Sequence, residues 1–178
     1  MAKTCLLYGF ISALAQALMT LGLFFTGMHS DPSKLAAAGW ISSILGLVIG
    51  ITCILLCVRS VRAQTPADKP FGYGAALGAG SLQGLFSSIL TAAFTYVYCA
   101  FVNPNYCQVL LDGVVDKLQS KGVSGDQLDK MEGFYRHIYT PGVLGIFGVV
   151  FGFIFAFILA LIIAAFCRRK APAAPPLV

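Results

Sequence analysis

Two glutamines, six cysteines, two histidines and one serine-bearing turn carry what chemistry this sequence could do. Gln16 and Gln83 each sit inside a long apolar run, where an amide brings two donors and an acceptor into a medium without water. If those runs lie parallel, the two amides reach similar depth and can bond to each other, a contact worth about 0.6 kcal/mol in such settings. We expect them to act as interhelical glue rather than as a ligand site.

The other reactive groups have plainer uses. Cys5, Cys53, Cys57, Cys99, Cys107 and Cys167 contain no CxxC pair, so neither a zinc ribbon nor a disulfide framework is expected. Cys99 and Cys107 flank an Asn103-Pro104 break, and a disulfide between them is left open. His29 and His137 read as solvated residues near an interface. Gly122-Val123-Ser124-Gly125 has the G-x-S-G form of an intramembrane protease. It lies in a polar turn, where a catalytic serine would still need a base within reach. Ser124 with Gln127 instead matches a helix capping box. The glycines from Gly72 to Gly84 superficially resemble a phosphate loop, but no strand precedes them and no ribose-binding acid follows.

The elements that would position these groups are long and apolar. Of 178 residues 58% are hydrophobic and 11% charged, outside the range of soluble domains and inside that of membrane proteins. The +5 net charge sits in short flanks beside apolar runs, not on a basic face, so nucleic acid is not a partner. We expect an all-α membrane protein, a single domain with spans at about 5–28, 38–58, 71–102 and 142–167. The first span, with Ala13-Leu14-Ala15 inside it, is read as uncleaved.

The third run organises the others. Gly72, Ala76, Gly80, Gly84, Ser88 and Ala92 are each four apart and form a smooth ridge on a helix. Ser42, Gly46 and Gly50 on the second span and Gly148 and Gly152 on the fourth repeat that spacing, so all these glycines are expected to be packing positions. At 1.5 Å per residue the third run would reach about 48 Å, longer than the about 30 Å hydrocarbon core. A bend is expected among its glycines. Lys3-Tyr8-Gly9-Gln16 and Lys69-Tyr73-Gly74-Gln83 hint at a duplicated hairpin, though their spacings differ.

Residues 104–140 form the one sizeable polar segment. Leu111, Val114, Val115 and Leu118 share one helical face, and Leu128, Met131, Tyr135 and Ile138 another, which predicts an amphipathic helical hairpin between the third and fourth spans. Leu111, Val115, Met131 and Tyr135 are expected to dock a partner. Asp31-Pro32 and Thr140-Pro141 read as cap-then-proline helix starts. Lys3, Arg59, Arg62, Lys69, Arg168, Arg169 and Lys170 fall on one side, while the basic residues of the other are diluted by six acids. That asymmetry predicts cytoplasmic termini and an outer hairpin. The Ala/Pro tail, residues 171–178, is expected to be disordered or held by a partner.

Gly39-Trp40, Arg59 and Arg62, Pro70-Phe71-Gly72-Tyr73-Gly74, the aromatic stretch Tyr96 to Tyr106 with Asn103-Pro104, Thr140-Pro141 and the terminal basic cluster together resemble an uncharacterised bacterial family, domain of unknown function 4199. The resemblance covers nearly the whole chain. It implies the four-span layout and the bacterial inner membrane, and it brings no catalytic residues.

No Asp, Glu, Lys, Arg or His lies inside the four spans, which disfavours ion-coupled transport and proton pumping. We expect a non-enzymatic interaction or scaffold protein without cofactor or metal, an accessory subunit of an inner-membrane assembly, in contact with lipid and with another membrane protein or itself. The alternative is a passive channel or lipid/small-molecule transporter, whose polar lining would have to come from Ser12, Thr20, Ser81, Ser87, Thr91 and Thr95.

Overall fold

The computed structural model describes residues 1–169, and within them the chain is all-α. In chain order the helices are α1 (Ala2–Phe25), α2 (Leu35–Gln64), α3 (Tyr73–Val97), α4 (Tyr106–Gln119), α5 (Asp126–Ile138) and α6 (Pro141–Cys167). A 3₁₀ turn, Pro32–Lys34, leads into α2, and a π-helical turn, Tyr98–Val102, continues α3. Four of these helices, α1, α2, α3 and α6, are long and apolar enough to cross a membrane. The protein is a multi-pass membrane protein with two short helices between its third and fourth spans. The tail at 171–178 lies outside the described residues.

The α3 ridge meets α6 in an antiparallel zipper. A Cβ placed on Gly80 would come within 2.8 Å of the Ala160 Cβ, and one on Gly84 within 2.5 Å of the Ala156 Cβ. One step further, a Cβ on Gly152 would reach the Ser88 Cβ at 3.3 Å, and one on Gly148 the Ala92 Cβ at 3.9 Å. Each step of four along α3 thus answers a step of four backwards along α6. Small residues on both sides let two backbones approach where lipid offers no hydrophobic drive. The parallel neighbour α1 packs on another face of α3: a Cβ on Gly9 would meet the Phe86 Cβ at 2.8 Å and the Gln83 carbonyl at 3.2 Å.

Gly72 stands apart from this zipper. It is the extended N-cap residue of α3, exposed, with open space where a Cβ would be. The expected bend among the glycines is also displaced. The helix is regular from Tyr73 to Val97 and changes its winding only at Tyr98–Val102, where the Asn103 amide donates to the Tyr98 carbonyl, five residues back, at 2.8 Å. Pro104 explains the position, since the residue before a proline is pushed out of the helical region; Asn103 has φ −134° and ψ 77°.

At the basic end the helices are tied by polar contacts and a buried cluster. Tyr8 Oη and Ser60 Oγ lie 2.9 Å apart, and Thr4 bonds to Gln64 at 3.1 Å, joining α1 to α2. The Arg169 guanidinium donates to the carbonyls of Thr65, Pro66 and Lys69, and Arg169 pairs its backbone with Phe71. This holds the loop between α2 and α3 against the end of α6. Above it Cys5, Ile54, Cys57, Val58, Phe71, Ala76, Ala79, Ala160, Ala164 and Cys167 form one buried core.

At the opposite end α4 lies over the entry to α2. A Cβ on Gly113 would come within 2.8 Å of Leu35 Cδ1, so the glycine is what lets the two elements touch. Asp31 caps the 3₁₀ turn, accepting from the Ser33 amide at 2.9 Å and the Ser33 hydroxyl at 2.7 Å, as its Asp-Pro spacing predicts. Two expectations fail here. Leu111 is 2% exposed, so it anchors α4 to the bundle and is not available to a partner. The Ser124 capping box does not form: Gly125, at φ 59°, is the cap residue of α5 and no side chain caps it. A left-handed residue at the cap moves the helix start one position beyond Ser124.

Candidate functional site

A crevice of about 480 Å³ opens in the middle of the bundle. Its floor is set by Ile54 of α2 and Leu159 and Ala156 of α6; Ser12 and Gln16 of α1 and Gln83, Gly84, Ser87, Ser88 and Thr91 of α3 form the back wall. The front is Ser42, Ser43, Gly46, Leu47 and Gly50 of α2 facing Gly148, Gly152 and Phe155 of α6. Ser43, Leu47, Gly148 and Phe155 are exposed, so the mouth lies between α2 and α6 and faces the membrane rather than either aqueous side.

The crevice exists because α2 packs only at its two ends. Cys53, Ile54, Cys57, Val58 and Val61 are buried at the basic end, and Leu35 is engaged by Gly113 at the other. Between Gly39 and Thr52 every residue is exposed or half-buried. Gly46 has nothing within 4 Å of a built Cβ, whereas one on Gly50 would reach Leu159 Cδ1 at 3.5 Å. Facing rows of small residues leave a gap wherever the backbones do not close on one another.

The polar groups inside are incompletely bonded. Gln16 donates from Nε2 to Ser12 Oγ at 3.3 Å, and Gln83 donates from Nε2 to the Tyr8 carbonyl at 3.4 Å. The two glutamines therefore line one crevice but bond to separate partners instead of to each other. Gln83 is 1% exposed, and its Oε1 has no partner among the described residues; neither has Thr91 Oγ1. An unmet acceptor in an apolar site costs about 1–3 kcal/mol, so a stable protein is expected to offer it a donor from outside the chain.

A second polar group sits at the hairpin end. Gly27, at φ 73°, turns the chain out of α1 so that His29 points back in; its side chain is 5% exposed, not solvated as expected. Asn103 Nδ2 donates to Tyr98 Oη at 3.2 Å, and His29 Nδ1 lies 2.9 Å from the same oxygen. The phenol oxygen thus bridges the imidazole and the Asn103 amide, tying the turn after α1 to the end of α3. Tyr106 packs over the imidazole at 4.7 Å between ring centres, and burial pushes its phenol up to about 12. Cys99 and Cys107 are free thiols in contact with each other.

Burial pushes the His29 imidazole below its ordinary pKa of 6.5, which fixes the sign of a pH effect. The unfolded chain takes up a proton near 6.5 while the folded chain still resists, so stability is fully present above 6.5 and falls as pH drops through the depressed folded value. Thermal unfolding in detergent should therefore occur at lower temperature at pH 5 than at pH 7.5. His29→Gln should flatten that dependence.

Of the positions singled out from sequence, Gln16, Gln83, Gly46, Gly50, Gly84, Ser88, Gly148 and Gly152 all line the crevice, and Gly84, Ser88 and Gly152 also belong to the zipper. Ala76 and Gly80 are buried in the core. Ser12, Ser87 and Thr91 contribute to the lining, while Thr20, Ser81 and Thr95 do not. Val115, Met131 and Tyr135 are half-buried in the hairpin, beside an exposed Phe134 that the periodicity did not single out. Ser42 was legible only as a member of a packing line, and Ser43 and Phe155 carried no signal at all.

No curated protein and no solved structure matches the chain. The family described as protein of unknown function (DUF4199) matches residues 7–169, a region that includes all four spans and the crevice between them, and the chain belongs to that family.

Proposed function

We propose that this is a non-enzymatic protein of the bacterial inner membrane that takes a lipid or other small amphipathic molecule into its crevice from the side, as a binding protein or carrier. The observation that carries this is the unpartnered Oε1 of Gln83, a residue lining a membrane-facing cavity whose mostly apolar wall carries a few amides and hydroxyls. The lining supplies amides and hydroxyls but no group that titrates near neutrality, which supports binding over acid–base chemistry. The buried cluster beneath Ile54 closes the basic end, and this supports lateral access over a passive channel. The lysines and arginines gathered at that end support cytoplasmic termini.

A second reading, an accessory subunit of a larger membrane assembly or a self-associating scaffold, is favoured by Phe134, 64% exposed on the hairpin. One isolation separates the two. The tagged protein is extracted from its membrane in gentle detergent, and whatever stays bound is identified by mass spectrometry. About one molecule of a defined lipid or small amphiphile per chain supports the crevice reading. A defined membrane complex, lost on Phe134→Asp, supports the subunit reading and displaces the first.

A further inference from the structure

We infer that the crevice selects a neutral lipid alcohol, an uncharged lipid whose polar end carries a free hydroxyl. This rests on the crevice being a ligand site and goes further by naming the chemistry of what fills it. The Gln83 amide has a fixed sense, because its Nε2 donates to the Tyr8 carbonyl at 3.4 Å. Turning it over would set two oxygens against each other. Oε1 is therefore the atom left without a partner among the described residues, on a side chain that lines the crevice, and a carbonyl oxygen can only accept. The ligand must bring a donor.

Charge is excluded by the same walls. Gln83 lies about 15 Å along α3 from its start at 1.5 Å per residue, deep in the span, and no lining residue is charged. A phosphate or ammonium headgroup there would find no counter-ion, a situation that membranes rarely tolerate. Leu47, Ile54, Phe155 and Leu159 give the remaining lining an apolar character suited to a hydrocarbon chain. The Thr91 hydroxyl, two helical turns from Gln83 and also unpartnered, can meet a second polar atom. Lipids with only acceptors at the polar end leave Gln83 Oε1 unmet; those with a hydroxyl satisfy it.

The test uses two photoreactive probes in lipid vesicles containing the full chain. One is a diacylglycerol with a diazirine in an acyl chain. The other is the same molecule with its hydroxyl acetylated, which removes only the donor. Peptide mapping is expected to find the free alcohol attached to crevice residues about tenfold more than the acetate, in line with one buried hydrogen bond. Gln83→Leu should erase the difference, and Gly46→Leu should abolish crevice labelling by both. Equal labelling by both probes, blocked by Gly46→Leu, would overturn the alcohol inference and leave the crevice as a lipid site. Labelling of both that is indifferent to Gly46→Leu would overturn the site as well. Should Gln83→Leu fail to fold, the two probes on the unaltered chain still decide the matter.

Discussion

Gly84→Leu is expected to destabilise the bundle by about 3 kcal/mol or more, at the upper end of what overpacking costs. Even a methyl at this position would stand 2.5 Å from the Ala156 Cβ, an atom fixed to its helix backbone and not the tip of a flexible side chain. Relief requires α3 and α6 to part, and every neighbouring step of the zipper, from Gly80 against Ala160 to Gly152 against Ser88, is loosened with them. Gly84→Ala should cost about 1–2 kcal/mol. Because that clash is Cβ against Cβ, adding Ala156→Gly should recover most of it. Equilibrium unfolding in detergent, run as a double-mutant cycle, checks both; a Gly84→Ala variant of unchanged stability would mean the two helices do not meet in this register.

The same kind of change at Gly46 is expected to have the opposite profile. Nothing lies within 4 Å of a Cβ there, and the residue borders the crevice mouth. Gly46→Leu should leave stability within about 0.5 kcal/mol, as for an open surface position. It should lower the amount of lipid retained through purification by at least about tenfold, since the added side chain fills the space a ligand would take. Quantitative lipid mass spectrometry of the two proteins, normalised to chain, measures it. Retention unchanged by Gly46→Leu would show that the bound lipid lies elsewhere on the helices.

These two glycines also mark where the sequence stops being informative. A step of four identifies a smooth helix face, and the ridge on α3 was legible for that reason. The same step of four on Ser42, Gly46 and Gly50 could not say that α2 stands clear of its neighbours, because small residues line a gap as readily as they close one. Which it is depends on how the helix is held at its ends, by the core around Ile54 and Cys57 and by α4 pressing on Leu35. The hydrogen-bond partner of Gln83 is likewise a matter of rotation about α3. It turns to the Tyr8 carbonyl rather than to Gln16, although both residues line the same crevice.

At the hairpin end the misses have one cause. His29 is buried by partners 69 and 74 residues away, Tyr98 and Asn103, which meet it only because the π-helical turn rewinds the end of α3. No local pattern around His29 contains that information. Leu111 follows the rule that an amphipathic helix buries its apolar stripe, but periodicity alone does not say whether the stripe faces the protein's own bundle or a partner. The helix starts at Asp31-Pro32 and Thr140-Pro141 were legible, since a proline at the first helical position needs no distant contact to be favourable.

A lipid-like molecule is expected to occupy the crevice between α2 and α6. The most direct measurement is an electron cryo-microscopy structure of the protein in a native-lipid nanodisc, enlarged by a rigid binding partner on the hairpin. An elongated density with its polar end within hydrogen-bond distance of Gln83 Oε1, and its tail leaving between Leu47 and Phe155, is the result expected. A crevice closed by α2 packing onto α6 along Gly46 and Gly148, or filled by a helix from another chain, would contradict it.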